Sequence, residues 1–289
     1  MSLTVAWIGT GIMGAPMAGH VLSRGHRLRV HTRTRHKADP LLRQGAVFCA
    51  SAGDAARDAD VVCVCVTDTP DVERVLLTDD GVAPTAREGT VVVDHSTISP
   101  IATTKLAKDL AGRGISLLDA PVSGGDVGAR NGALAIMVGG ESVALERARP
   151  VLECYGKTIT HCGPSGAGQF AKLVNQILVS VTLAGVSEAL SFAQRAGLNL
   201  ETAIAATAAG AARSWQLSNL GPKIAAGDYR PGFMIDLLLK DLRILRESAE
   251  AIGAPQRVSK LVTDLFTAAS AAGHGRDGTQ AVFEVIRTP

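Results

Sequence analysis

The 289 residues carry 29 basic and 27 acidic side chains, a net charge of +2, and only 3% aromatics, which argues against a nucleic-acid surface built on charge and base stacking. Hydrophobic residues at 46% and charged ones at 19% exclude a disordered chain and leave one large or two ordinary domains with a sizeable core. Cys49, Cys63, Cys65, Cys154 and Cys162 form no C-x-x-C pair and have no His at metal-ligand spacing, so buried reduced thiols and no metal site are expected.

The start of the chain lacks the charged and apolar regions of a signal peptide, and a cytoplasmic location is expected. Residues 3–8 form a short apolar run that ends in Gly9-Thr10-Gly11-Ile12-Met13-Gly14, and a helical pattern follows over 15–24. Strand, glycine turn and helix in that order are the context a dinucleotide fingerprint requires. Gly9 permits the tight turn, Gly11 lets a pyrophosphate approach the backbone, and Gly14 lets the helix pack on the strand. Free N–H groups at the helix start, with Thr10, Ile12 and Met13 in the same turn, would hold the anion; the alternative is a merely structural turn.

A second strand is expected over 27–31. The residues after it are Thr32-Arg33-Thr34-Arg35-His36-Lys37, and no acid occurs between the glycines and Asp39. A carboxylate there would accept the 2′-hydroxyl of NAD and repel a 2′-phosphate, whereas guanidinium and hydroxyl groups bind a phosphate with charge-assisted hydrogen bonds. NADP is therefore favoured, with NAD as the alternative cofactor and a solvated basic loop as the plain reading.

Further strands are expected at 46–49, 61–66, 90–94, 115–119 and 133–139, with helices between the earlier ones, so a mostly parallel, doubly wound sheet follows. Ligands of such sheets sit at the carboxyl ends of the strands. Here these are Val66-Thr67, His95-Ser96-Thr97 and Ala120-Pro121-Val122-Ser123-Gly124-Gly125, which should surround a nicotinamide, although each alone could be an ordinary turn.

From 166 onward only helical patterns are found, at 166–196, 199–210, 213–226, 234–252, 255–272 and 277–286. The expected organisation is an α/β Rossmann domain over 1–163 followed by an all-α C-terminal domain over 164–289. The first of these helices places Lys172, Asn175 and Gln176 on one face. Its stretch 173–192 is long enough for a membrane span, but Asn175, Gln176 and Glu188 interrupt it, so a helix buried on all sides and no membrane contact are expected.

Four motifs carry a resemblance over nearly the whole chain: the glycine fingerprint at 9–14, Asp119-Ala120-Pro121-Val122-Ser123-Gly124-Gly125, Gly166-x-Gly168-x-x-x-Lys172, and Lys240-Asp241. The sequence resembles the β-hydroxyacid dehydrogenase family, which includes 3-hydroxyisobutyrate dehydrogenase, tartronate semialdehyde reductase and the glyoxylate and succinic semialdehyde reductases. The resemblance implies a Rossmann domain joined through the long helix to a helical domain, with Lys172 catalytic in the cleft between them. It also implies that Ser123, Gly124 and Gly125 hold the substrate carboxylate, that Thr97 and Lys240 lie at the cofactor, and that Phe233 helps close the site. Many relatives have Asn four residues after the lysine. This chain has Asn175 at three and Gln176 at four, so either amide could be the one at the substrate.

Hydride transfer to a carbonyl carbon builds negative charge on oxygen, and an ammonium in reach both stabilises that charge and donates a proton. Lys172 can do both, so reduction of small 2- or 3-oxo acids or semialdehydes, or the reverse oxidation, is the leading reading. An imine reductase is the nearest alternative, but that group has Asp or Tyr where this chain has Lys172; a catalytically silent nucleotide-binding module is the other. The apolar excess of the second domain, together with the family resemblance, points to a homodimer or homotetramer.

Overall fold

The computed structural model describes residues 2–288 and divides into two compact units, one ending at Lys172 and the other beginning at Leu173. In the first unit β1 (Thr4–Ile8), α1 (Gly14–Ser23), β2 (Arg27–His31), α2 (Asp39–Leu42), β3 (Val47–Phe48), α3 (Ala52–Ala56), β4 (Val61–Val64), α4 (Thr69–Leu77), β5 (Val91–Asp94), α5 (Pro100–Ala111) and β6 (Ser116–Asp119) alternate strand and helix. β7 (Val122–Ser123), α6 (Gly125–Arg130), β8 (Leu134–Gly139), α7 (Ser142–Leu152) and β9 (Gly156–Gly163) complete it, and α8 (Ala167–Arg195) begins in it.

The strands form one sheet in the order β3-β2-β1-β4-β5-β6-β8-β7, with β9 on β8. From β3 to β6 every pairing is parallel, the doubly wound order whose crevice opens between β1 and β4. Both faces of the central strands are covered, which is why β1, β4 and β5 read as near-continuous apolar runs, whereas β2, Arg-Leu-Arg-Val-His, alternates. In β1, Val5 and Trp7 join the core on one face and Ala6 and Ile8 join that on the other.

The second unit consists of the rest of α8 with α9 (Leu200–Ala208), α10 (Trp215–Asn219), α11 (Gly221–Ala225), α12 (Ile235–Ile252), α13 (Arg257–Ala269) and α14 (Val282–Ile286). Its core gathers Leu183, Leu190, Leu238, Leu242, Val262 and Phe266. α8 stops where Gly197 turns left-handed at φ 78° and the Leu198 N–H bonds back to Ala193 O at 2.9 Å, a terminus that glycine makes without strain.

Several expectations need correction. Strands β7 and β9 were not anticipated; β9 presents Lys157, Thr158, Thr160 and His161 outward and buries only a narrow side, so it offers no apolar run to read. The single helix expected over 213–226 is two, because Pro222 in the first turn of α11 lacks the N–H that would continue α10. Residues 270–274 leave α13 in a wider turn with Gly273 at φ 98°. Cys65 and Cys162 are only partly buried, while Cys49, Cys63 and Cys154 are interior, and all are free thiols.

α8 is not buried on all sides. Val174, Leu178 and Phe192 are 57%, 62% and 73% exposed and recur along one face, while Leu173, Leu183, Val186 and Leu190 pack into the second unit's core. The shorter helices of that unit cover one side of α8 only. By length and composition α8 could cross a membrane, and it buries the polar groups of Gln176, Ser180 and Ser187.

Candidate active site

The glycine turn after β1 is shaped by close approaches. Gly9 has φ 98°, and a Cβ there would lie 2.1 Å from Cys65 O, so the end of β1 passes directly over the end of β4. A Cβ on Gly14 would lie 2.1 Å from Gly9 O, which also accepts a hydrogen bond from Trp7 Nε1 at 3.1 Å. At Gly11 the opposite holds: a Cβ would meet no atom within 4 Å. The turn therefore faces open space at the one glycine where a pyrophosphate should approach. No side chain caps α1, its first turn holds no acid, and the buried Thr10 Oγ1 lacks a hydrogen-bond partner. Unpaired donors and the positive end of the helix dipole fit a diphosphate. Ile12 is exposed and Met13 precedes the first helical residue.

Thr32, Arg33 and Thr34 lie just past β2, with Thr34 preceding a short turn of 3-10 helix. The Arg33 side chain is 75% exposed, and its guanidinium is 3.4 Å from Asp71 Oδ1, a carboxylate shared with Arg74. Asp71 lies in the first turn of α4. Exposed pairs of this kind contribute little, so the guanidinium can exchange Asp71 for a phosphate at small cost.

The next two loops are joined through side chains. The Val66 N–H donates to Ser96 Oγ at 3.0 Å, and the Ser96 N–H donates to Asp94 Oδ1 at 2.9 Å, which ties the Val66-Thr67 segment to the one carrying Thr97. Behind them His95 is fully buried, stacked on Trp7. Its Nδ1 is 2.7 Å from Ala120 O and its Nε2 is 2.8 Å from the Tyr155 hydroxyl. Burial pushes the His95 pKa down to about 4, so the ring is neutral. A carbonyl only accepts, hence Nδ1 carries the hydrogen and Nε2 accepts from Tyr155. This link fixes the end of β5 to the loop after β6.

The lysine is placed by the start of α8. Asp119 is fully buried, and its carboxylate accepts the N–H groups of Gly166 at 2.8 Å and Gln169 at 2.9 Å, capping the helix. Burial pushes this carboxyl's pKa up while the backbone N–H bonds pull it down. A Cβ on Gly168 would sit 2.5 Å from both Asp119 O and Met137 O, so the helix starts in contact with the sheet. One turn later Lys172 is 9% exposed, and Nζ donates to Val122 O at 2.9 Å. Val122 precedes Ser123, Gly124 and Gly125; the two glycines have φ 133° and 62°, a turn no side-chain-bearing pair would adopt readily. The structure thus brings Lys172 to the very turn expected to hold a carboxylate.

In the second unit Gln176 is 1% exposed, with both ends of its amide used. Nε2 donates to Asp241 Oδ2 at 2.6 Å, and Oε1 accepts from Asn175 Nδ2 at 2.8 Å. Lys240 Nζ is 2.7 Å from Asp241 Oδ1. Asn175, Gln176 and Lys240 are therefore gathered by one buried carboxylate, and Asn175 is the more accessible amide. Phe233 is half-buried against that unit's core.

Residues 4–163 match the model of the NAD binding domain of 6-phosphogluconate dehydrogenase, and residues 166–286 match that described as NAD-binding of NADP-dependent 3-hydroxyisobutyrate dehydrogenase. The chain is 40% identical over 284 residues to 2-hydroxy-3-oxopropionate reductase of Escherichia coli, covering 98% of this chain and 97% of that one. It is 38% identical over 269 residues to NAD-dependent L-serine dehydrogenase of Pseudomonas aeruginosa, covering 91% and 90%. Among solved structures, 3-hydroxyisobutyrate dehydrogenase of Mycobacterium tuberculosis, described with L-serine, superposes with a TM-score of 0.91 at 33% identity over all of both chains.

Proposed function

The chain belongs to the β-hydroxyacid dehydrogenase family of oxidoreductases that bind a nicotinamide dinucleotide, and from that premise we propose that it interconverts a small 2- or 3-oxo acid or semialdehyde and the corresponding hydroxy acid with NADP(H), using Lys172 as the acid and base. The observation that carries this reading is the buried Lys172 amine, held at Val122 O beside the Ser123-Gly124-Gly125 turn.

A bound nicotinamide dinucleotide supplies or accepts the hydride. The residues of the chain do the rest. Backbone N–H groups of the Ser123-Gly124-Gly125 turn bind the substrate carboxylate and so set the distance of the carbonyl from Nζ. Lys172 stabilises the negative charge that develops on the carbonyl oxygen and gives it a proton in reduction; neutral Lys172 takes the hydroxyl proton in oxidation. Asn175 and Phe233 complete the substrate contacts in this reading, with Gln176 holding the Asn175 amide from behind, and Thr97 and Lys240 complete those of the cofactor. A steady-state screen of glyoxylate, tartronate semialdehyde, succinic semialdehyde and a cyclic imine with NADPH and NADH tests the proposal. Turnover of the imine alone would overturn it.

NADP is favoured by Thr32, Arg33 and Thr34 and by the absence of an acid directly after β2. Arg33→Ala should weaken NADPH by about 10- to 150-fold, the equivalent of one charged hydrogen bond, and leave NADH nearly unchanged. Equal loss for both cofactors, or none, measured by fluorescence titration, would make Arg33 a solvated loop residue.

We further take the protein to be a cytoplasmic homo-oligomer. The support is the exposed apolar face of α8, with Val174, Leu178 and Phe192, which is the composition of an interface core. Light scattering at micromolar concentration should give about 60 or about 120 kDa, a closed dimer or tetramer; a mass near 29.8 kDa would refute it.

A further inference from the structure

We infer that Gln169 is a positioning residue that locks the lysine-bearing helix to the loop carrying Thr97, which rests on Lys172 being the acid and base proposed above. Gln169 is fully buried and belongs to neither the dinucleotide fingerprint nor the substrate turn. Nε2 donates to Ser96 O at 2.8 Å, and Oε1 accepts from the Ile98 N–H at 3.1 Å. Those two backbone groups flank Thr97, so the amide grips the loop on either side of that residue. The Gln169 main-chain N–H meanwhile donates to Asp119 Oδ2 at 2.9 Å. One residue is thus tied through its side chain to the loop after β5 and through its backbone to the end of β6. Lys172 follows three positions later, one helical turn on, and reaches Val122 O in the segment that leads to the carboxylate turn.

Among ionised carboxylate, amide and apolar side chains only the amide satisfies this arrangement, because one sp² centre must present a donor and an acceptor at once. A carboxylate would set a lone pair against Ser96 O, and an apolar side chain would leave a buried N–H and a buried C=O unpaired. The glycine turn, at the end of β1, holds the diphosphate in the proposed reading and carries most of the dinucleotide affinity. Gln169 instead sets the register between Thr97 and Lys172. Its loss should lower kcat and spare cofactor affinity, since a misplacement of about 1 Å at a reacting centre costs on the order of a hundredfold.

The test is kinetics of the full-length enzyme with NADPH and the best aldehyde acid of the screen, for Gln169→Leu and Gln169→Glu. Gln169→Leu should lose about 10- to 100-fold in kcat while the KM for NADPH moves by less than about threefold. Gln169→Glu carries a distinct signature: a neutral carboxyl has both C=O and O–H and can make both bonds, whereas the ionised form lacks the donor. Its kcat relative to wild type at the same pH should therefore rise at least about tenfold between about pH 9 and about pH 6, with burial holding the carboxyl's pKa up. A satisfied core polar group without a positioning role would give neither the kcat split nor the new titration. Gln169→Leu within threefold of wild-type kcat, or a flat Gln169→Glu ratio across pH, overturns the inference. If Gln169→Leu does not fold, the Gln169→Glu ratio decides alone. Activity surviving in Lys172→Ala would defeat the acid-base reading; inactive Lys172→Ala with wild-type-like Gln169 variants would defeat only the positioning role.

Discussion

Lys172→Ala should lower kcat by about 10²- to 10⁴-fold, the range that a positioned general acid contributes, while NADPH affinity changes by less than about threefold. The expectation follows from where the ammonium sits. It is buried beside the Ser123-Gly124-Gly125 turn and donates to Val122 O, so in the proposed reading its removal takes away the proton and the positive charge facing the developing oxyanion. The glycine turn after β1, which holds the diphosphate in the proposed reading, is left as it was. The fold should survive as well. The truncation deletes one buried stem from a helix that stays capped by Asp119, and a freed carbonyl at the half-exposed Val122 can turn to water. Cofactor titration and single-turnover reduction of the best substrate, with circular dichroism as the fold control, separate these effects. A variant that keeps a tenth of the wild-type kcat would remove Lys172 from the mechanism.

What the sequence revealed of this site and what it hid follow one physical rule. The spacing Gly166-x-Gly168-x-x-x-Lys172 is legible through the family resemblance, and the structure gives each residue its local reason: Gly166 turns in at φ 90°, Gly168 touches the sheet backbone, and Lys172 emerges one turn later. The parallel strands are readable because both faces of the sheet are covered and every residue of a strand such as β4 must be apolar. Partners far apart in the chain leave no such mark. Asp71 opposite Arg33 lies 38 residues away, Tyr155 beneath His95 lies 60 away, and Ser96 against Gln169 lies 73 away. No periodicity encodes those pairs. The apolar character of α8 was legible, but not which side of it stays uncovered, because that depends on how few neighbours the second unit supplies. In the same way Asn175 and Gln176 look alike in sequence, and only the buried carboxylate of Asp241 distinguishes the inner amide from the outer one.

The glycine turn allows affinity and stability to be separated by two single methyl groups. In Gly14→Ala the new Cβ would be placed 2.1 Å from Gly9 O and 3.0 Å from Trp7 Nε1. Neither is the loose end of a flexible side chain: one is backbone, and the other is part of a ring packed against His95 and Tyr155. The turn must therefore shift, breaking the Trp7 to Gly9 hydrogen bond, at a cost of about 1–3 kcal/mol for overpacking. For a chain of this length each kcal/mol lowers Tm by roughly 2–4 °C. NADPH affinity should fall too, because in the proposed reading the displaced loop is the one that faces the diphosphate. In Gly11→Ala the methyl meets no protein atom within 4 Å, and Gly11 is not among the left-handed glycines. The fold should be unharmed or stabilised by about 0.4–1 kcal/mol through a less flexible unfolded chain. In the proposed reading the same methyl fills the space a diphosphate needs over the backbone, so NADPH should weaken by at least about tenfold, the loss of one charge-assisted hydrogen bond. Thermal melts with and without NADPH, with a fluorescence titration, read both quantities. Wild-type affinity in Gly11→Ala would move the diphosphate away from this turn, and a wild-type Tm in Gly14→Ala would show that the approach of α1 to Gly9 is loose enough to admit a Cβ that would otherwise lie 2.1 Å from Gly9 O.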